Sequence, residues 1–176
     1  MRALLSSAIG LFFLTALVYL NSCATTPNPG DADMIRKQAK AYYAVYAVQK
    51  DFDAFMNFYD EHVVLEDIVN GDRIEGKAAL QTFFNWDVPG FERMDTVALV
   101  IEDQLVDQNK VVTTGYFTPF KWEESLVEAM HFTSILHFNP EGKIVRQTDW
   151  INYPAWLVDY ENRKNSNAWI PIKPSN

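Results

Sequence analysis

The chain carries one cysteine, Cys23, among 176 residues. No disulfide can therefore close within it, and no cysteine pair is available for redox work or for zinc. Histidine is nearly as scarce, with three residues. Two of them, His131 and His137, lie on one period-two stretch, roughly 20 Å apart along a strand and too far to share an ion. Positive charge is short as well: 15 Lys and Arg against 23 Asp and Glu give a formal charge of -8. With no basic run to interrupt that balance, the chain is not expected to meet nucleic acid. No nucleotide fingerprint and no serine-hydrolase elbow is present. The stretch GDRIEGKA, Gly71 to Ala78, has the spacing of a phosphate loop, but Ala78 stands where the metal-binding hydroxyl belongs and two acids would face the phosphates. Neither metal nor cofactor is expected.

What the chain has is apolar and aromatic surface, 48% and 14% of its residues, enough for one sizeable core and one domain. Its N-terminus reads as an address. Arg2, the uncharged run Ala3 to Leu20, and Leu20-Asn21-Ser22 before Cys23 resemble a bacterial lipoprotein signal. The resemblance implies a signal over residues 1–22, a lipid on Cys23, and a protein anchored in the cell envelope, facing the periplasm or exterior. An uncleaved membrane anchor is the alternative, since the apolar run just reaches spanning length. Residues 23–33, polar with proline and glycine, are expected to form a flexible tether.

The domain is expected over residues 34–153. Ile35, Ala39, Tyr42, Tyr43 and Tyr46 recur at helical spacing through about residue 50. Asp51 is a plausible N-cap for a second helix carrying Phe52, Phe55, Met56 and Tyr59. A strand from His62 to Val69 ends at the turn pair Asn70-Gly71, and a short helix from about Lys77 to Trp86 buries Leu80, Phe83 and Phe84. Period-two patterning then predicts strands over 93–104, 110–120, 126–139 and 143–153. Helices followed by a meander define an α+β domain with a mainly antiparallel sheet. The tail, 154–176, is expected to pack irregularly.

Within the first strand, alternation puts Asp67 on one side with Val63, Leu65 and Val69, and Glu66 on the other with Val64 and Ile68. A carboxylate on an apolar face costs several kcal/mol, on the order of a lost solvation shell, unless paired, bonded or protonated. Asp67 is thus either functional or a structural acid bonded to a nearby tyrosine or backbone amides. Glu66 reads as a surface charge.

The element order and the phrases FYDEHVVLEDIVNG, IEGKAALQTFF and HFNPEGKIVRQTDW resemble the SnoaL-like part of the nuclear transport factor 2-like superfamily, with its ketosteroid isomerases and polyketide cyclases. The resemblance covers about Ile35 to Tyr153. It implies a cone-shaped curved sheet wrapped around the N-terminal helices, with a pocket inside. It places a catalytic base on Asp67 and an oxyanion-binding tyrosine on Tyr43. Ser134 stands where those isomerases have a second, acidic donor, and Asp149 falls on a pocket-lining position, so Asp149 is a candidate second carboxylate. Asp149 facing Asp67 across the cavity would raise one pKa and leave a proton to donate; it is otherwise open to water at the mouth or paired with Arg146. Phe132, Ser134 and Leu136 on one strand, and Gln147 and Ile151 on the next, are the expected ligand-binding residues. Tyr43 is equally readable as part of an aromatic core stripe.

Two functions follow. One is binding of a small, largely apolar molecule, with cofactor-free acid-base catalysis of isomerase, cyclase or hydratase type; the other is a non-catalytic ligand-binding or protein-interaction lipoprotein. On the opposite sheet face, Val127, His131, Thr133, Ile135, His137, Ile144, Thr148 and Trp150 are more apolar than a wetted face requires. A homodimer through the sheet is expected, or cover by the tail.

Overall fold

The computed structural model describes residues 29–171. The signal-like segment, Cys23 and the tether as far as residue 28 lie outside the described residues. Helix α1 (Pro29–Val48) begins four residues before its expected start, with proline at the first helical position, where its missing N–H costs no hydrogen bond. Its stripe does what the spacing predicts: Ile35, Ala39, Tyr42 and Tyr43 are all buried. Helix α2 (Phe52–Met56) is capped by Asp51, whose side chain accepts from the Ala54 amide at 2.9 Å. It ends earlier than its apolar pattern suggests. Tyr59 instead opens strand β1 (Tyr59–Asp67), because its ring packs edge-on against Tyr42 and Phe55 in the core.

After β1 the chain turns into β2 (Asp72–Glu75), a short edge strand absent from the sequence expectation, and into α3 (Lys77–Phe84). The phosphate-loop look-alike is this strand and helix start. Leu80 is fully buried on α3, but Phe83 is 40% exposed. Strands β3 (Phe91–Arg93), β4 (Leu99–Asp107), β5 (Lys110–Phe117), β6 (Phe120–Trp122), β7 (Ser125–Val127), β8 (Met130–Phe138) and β9 (Ile144–Ile151) follow. The main sheet runs β2-β1-β9-β8-β5-β4, and β3-β6-β7 form a small second sheet. All neighbours are antiparallel except β1 and β9, which run parallel. The second sheet is cut from stretches that period-two patterning reads as the ends of longer strands. Val127, expected on the outer face, belongs to it and is fully buried.

The main sheet bends by irregularities. Register shifts interrupt β1·β9, β4·β5 and β8·β9, and bulges increase local twist and bend a strand. Gly115 sits at one such bend: a Cβ there would lie 2.1 Å from the Val100 carbonyl oxygen, so only glycine allows β5 and β4 to approach. The β9 bulge skips Val145, pairing Ile144 with Phe138 and Arg146 with His137. Ile144 thereby swaps to the inner side and is fully buried, where strict alternation puts it outside. The core joins α1, α2, α3 and the inner sheet face through Tyr42, Phe55, Tyr59, Leu80, Phe138 and Ile144. Each such burial is worth about 1.5–3 kcal/mol.

The tail packs as an irregular segment with two short turns, Ala155–Leu157 and Ser166–Trp169. It docks on the β1–β2 turn: Arg163 Nη1 donates to the Val69 carbonyl at 2.8 Å and Ser166 Oγ to the Ile68 carbonyl at 2.9 Å.

Candidate functional site

Three strands deliver the polar residues to one place. Parallel pairing sets Asp67 of β1 beside Asp149 of β9, and antiparallel pairing sets Asp149 beside Ser134 of β8. Directly paired residues share a face, so the two carboxylates stand side by side rather than across a cavity. Tyr43, on α1, faces them. They line a cavity of about 230 Å³ between α1, the inner sheet face and the small sheet, walled largely by aromatic rings. Of the residues expected from the sequence, Tyr43, Asp67, Phe132, Ser134, Gln147, Asp149 and Ile151 all reach it. Leu136 does not. It is fully buried further along β8, within the core.

Asp67 is engaged at both oxygens. Oδ1 accepts from the Val69 and Asn70 amides at 3.0 and 2.9 Å, and Oδ2 from the Tyr153 hydroxyl at 2.6 Å. Burial pushes its pKa up, and these three bonds oppose the shift. These are the contacts of an acid that closes the β1–β2 turn.

Asp149 differs. Its Oδ2 accepts from Gln147 Nε2 at 2.7 Å, while Oδ1 is sealed from bulk water and has no partner. Asp149 as a whole residue is partly buried, and it lines the cavity. Burial lifts its pKa to about 7; Ser134 and Gln147 hold it down in part, and the charge of Asp67 adds to the rise. Gln147 is itself locked in place. Its Oε1 accepts from Tyr59 Oη at 2.7 Å and from Tyr42 Oη at 3.3 Å, and the two phenols touch at 2.7 Å. With phenolic protons on one end of the amide, the Nε2 end must face the carboxylate. Arg146 pairs with Glu66 and not with Asp149.

Tyr43 Oη and Ser134 Oγ are also buried without a hydrogen-bond partner. Burial raises the phenol's pKa well above its ordinary value, and the nearby hydroxyls of Ser134 and Thr113 offset part of that. The phenol therefore keeps its proton and is a hydrogen-bond donor at any ordinary pH. Buried polar atoms are normally satisfied; these three belong to neighbouring residues on the wall of one cavity, with Ser134 close enough to both the phenol and the Asp149 carboxyl to act on each.

Tyr153 and Arg93 are among the lining residues that the sequence reading did not place at the site. Tyr153 continues the alternation of Gln147, Asp149 and Ile151, so the period-two pattern carried its signal. Arg93 comes from β3 and has no local pattern that would mark it.

A mixed sheet wrapped on N-terminal helices, with a pocket between the layers, defines the nuclear transport factor 2-like α+β fold. The chain belongs to the SnoaL-like domain family, whose sequence profile matches residues 39–147. Solved structures agree on the fold. A nuclear transport factor 2-like protein of unknown function from Burkholderia xenovorans is 20% identical, with a TM-score of 0.52 over 81% of this chain and 98% of that one. A proposed ketosteroid isomerase from Kribbella flavida is 19% identical, with a TM-score of 0.52 over 82% of this chain and 93% of that one. A proposed SnoaL-like polyketide cyclase from Shewanella denitrificans is 16% identical, with a TM-score of 0.57 over 67% and 90%. No curated protein matches the sequence.

Proposed function

We propose that the cavity binds a small, largely apolar molecule through one of its oxygens and moves a proton beside that oxygen, without a cofactor, in an isomerisation, cyclisation or hydration. The observation that carries this reading is the cluster of Tyr43, Ser134 and Asp149 on the wall of an aromatic cavity, with Tyr43 Oη, Ser134 Oγ and Asp149 Oδ1 buried and lacking a partner at ordinary hydrogen-bond distance. Tyr43 and Ser134 hold the substrate oxygen and donate to it as charge develops. Asp149 carries the proton: as carboxylate it takes one from the neighbouring carbon, and as acid it returns it to another position. A group with a pKa of about 7 is populated in both forms near neutrality, the condition for exchange in either direction. Asp67, with both oxygens bonded, acts on Asp149 through its charge and shapes the wall.

The test uses 2-naphthol as a probe of the oxygen site, followed by fluorescence or calorimetry. Tyr43→Phe should weaken binding by about 10- to 100-fold, the worth of roughly 1.5–3 kcal/mol for a buried hydrogen bond. Unchanged affinity in Tyr43→Phe would remove the basis of this reading. Where a substrate is in hand, Asp149→Asn should abolish turnover while retaining ligand affinity within a few-fold, since the shape is kept and only the exchangeable proton is lost.

A further inference from the structure

Arg93 lines the same cavity as the polar trio. It ends β3, in the small sheet, and lines the cavity beside Phe91 and Phe120. It is the only cationic side chain in the lining, where the other charged groups are Asp67 and Asp149. Among the described residues no carboxylate pairs with it. Its chain neighbour Glu92 bonds Lys121 instead. One contact is made: Nη1 donates to the Val48 carbonyl at 2.7 Å, at the last residue of α1. A guanidinium offers five donors in a planar fork suited to a carboxylate, and among the described residues protein groups use only one of them.

We propose that Arg93 recognises an acidic group at the far end of the ligand, so that the substrate class is a flat, apolar acid with a carbonyl or hydroxyl oxygen at its other end. This rests on the oxygen site described above. The spacing follows from α1, which carries both markers. Tyr43 precedes Val48 by five residues, which at a rise of 1.5 Å each separates them by roughly 8 Å along the helix axis. Two fused six-membered rings substituted at opposite ends bridge such a span. Charge also fixes the direction of binding. The two carboxyl groups repel an anion from the Tyr43 end, while Arg93 attracts it to the other. A residue that only closed the end of α1 would need the Val48 bond and no place in the cavity wall.

The experiment compares three probes on the full chain: 2-naphthol, 6-hydroxy-2-naphthoate and its methyl ester. The acid should bind at least tenfold more tightly than either neutral molecule. In Arg93→Gln that ratio should fall to near one, and Arg93→Lys should restore part of it. Equal affinity of acid and ester for the unaltered protein overturns the proposal without any variant, and so does a ratio that survives in Arg93→Gln. The oxygen site is tested separately. Tyr43→Phe should weaken all three probes alike; if it weakens none while the acid still prefers Arg93, only the reading of the oxygen site falls. Failure of all three probes to bind overturns both.

Discussion

Two buried carboxylates with different neighbours show how local charge decides what an acid does. Glu66 is 3% exposed, not the surface charge its position suggests, because Arg73 on β2 and Arg146 on β9 close over it. Paired from both sides, it ties β1 to its neighbours. Asp149 has no cation beside it, and burial dominates. Its pKa is about 7 in the folded chain against roughly 4 unfolded, so the folded state holds the proton more tightly. That contribution is full below the unfolded value and is lost as pH rises toward 7. The difference corresponds to at most about 4 kcal/mol, since Asp67 titrates alongside. Asp149→Asn, which keeps the neutral shape, should therefore be more stable than the parent at pH 8 and nearly equal to it at pH 4. Urea unfolding at the two values decides; a variant with no advantage at pH 8 would show that the carboxyl is not raised.

At the scale of elements, the tail matters more than its irregularity suggests. It lies across the β1–β2 turn, where Asp67 accepts from two amides and Tyr153 reaches back to the same carboxylate. Gly71 makes that approach possible. Its φ is +81°, and a Cβ would stand 1.9 Å from the Lys164 carbonyl oxygen. Gly71→Ala should displace the tail and cost roughly 1–3 kcal/mol from strain and lost contacts. Limited proteolysis should then cut between residues 159 and 170 well before the core. Tail cleavage at the parent's rate would show that the tail does not depend on this contact. The small sheet has a comparable role on the other side, since it is the element that carries Arg93 to the cavity.

For the whole molecule, the open question is what meets the outer sheet face. The tail docks on the β1–β2 turn and leaves Trp150 41% exposed. Thr133, Ile135 and Thr148 on the same face are half-buried, and His131 is exposed. Apolar groups left open on a broad sheet face favour association. A two-fold dimer centred on Trp150 and Ile135 is proposed, the same patch contributing from each copy. Light scattering at micromolar concentration should give twice the chain mass, and Trp150→Glu should return it to one. A monomer in the parent protein rejects the dimer.

The sequence by itself determined the helical stripe of α1, the cap at Asp51, the four long strands in outline and the inward faces of β8 and β9. These depend on period and on local capping, which neighbouring residues carry in order. It also brought Tyr43, Asp67, Ser134 and Asp149 into one list of candidates, because alternation fixes which face a strand residue takes. Tertiary structure alone set the hydrogen-bond partners of each. That Tyr153 and the turn amides bond both oxygens of Asp67, that Arg146 serves Glu66, and that Gln147 is held by two tyrosines depends on contacts between residues up to 105 positions apart. The bulge that turns Ile144 inward and the small sheet that carries Arg93 to the wall belong to the same class. Hydrogen-bond saturation and local field are sums over neighbours in space, and no period along the chain encodes them.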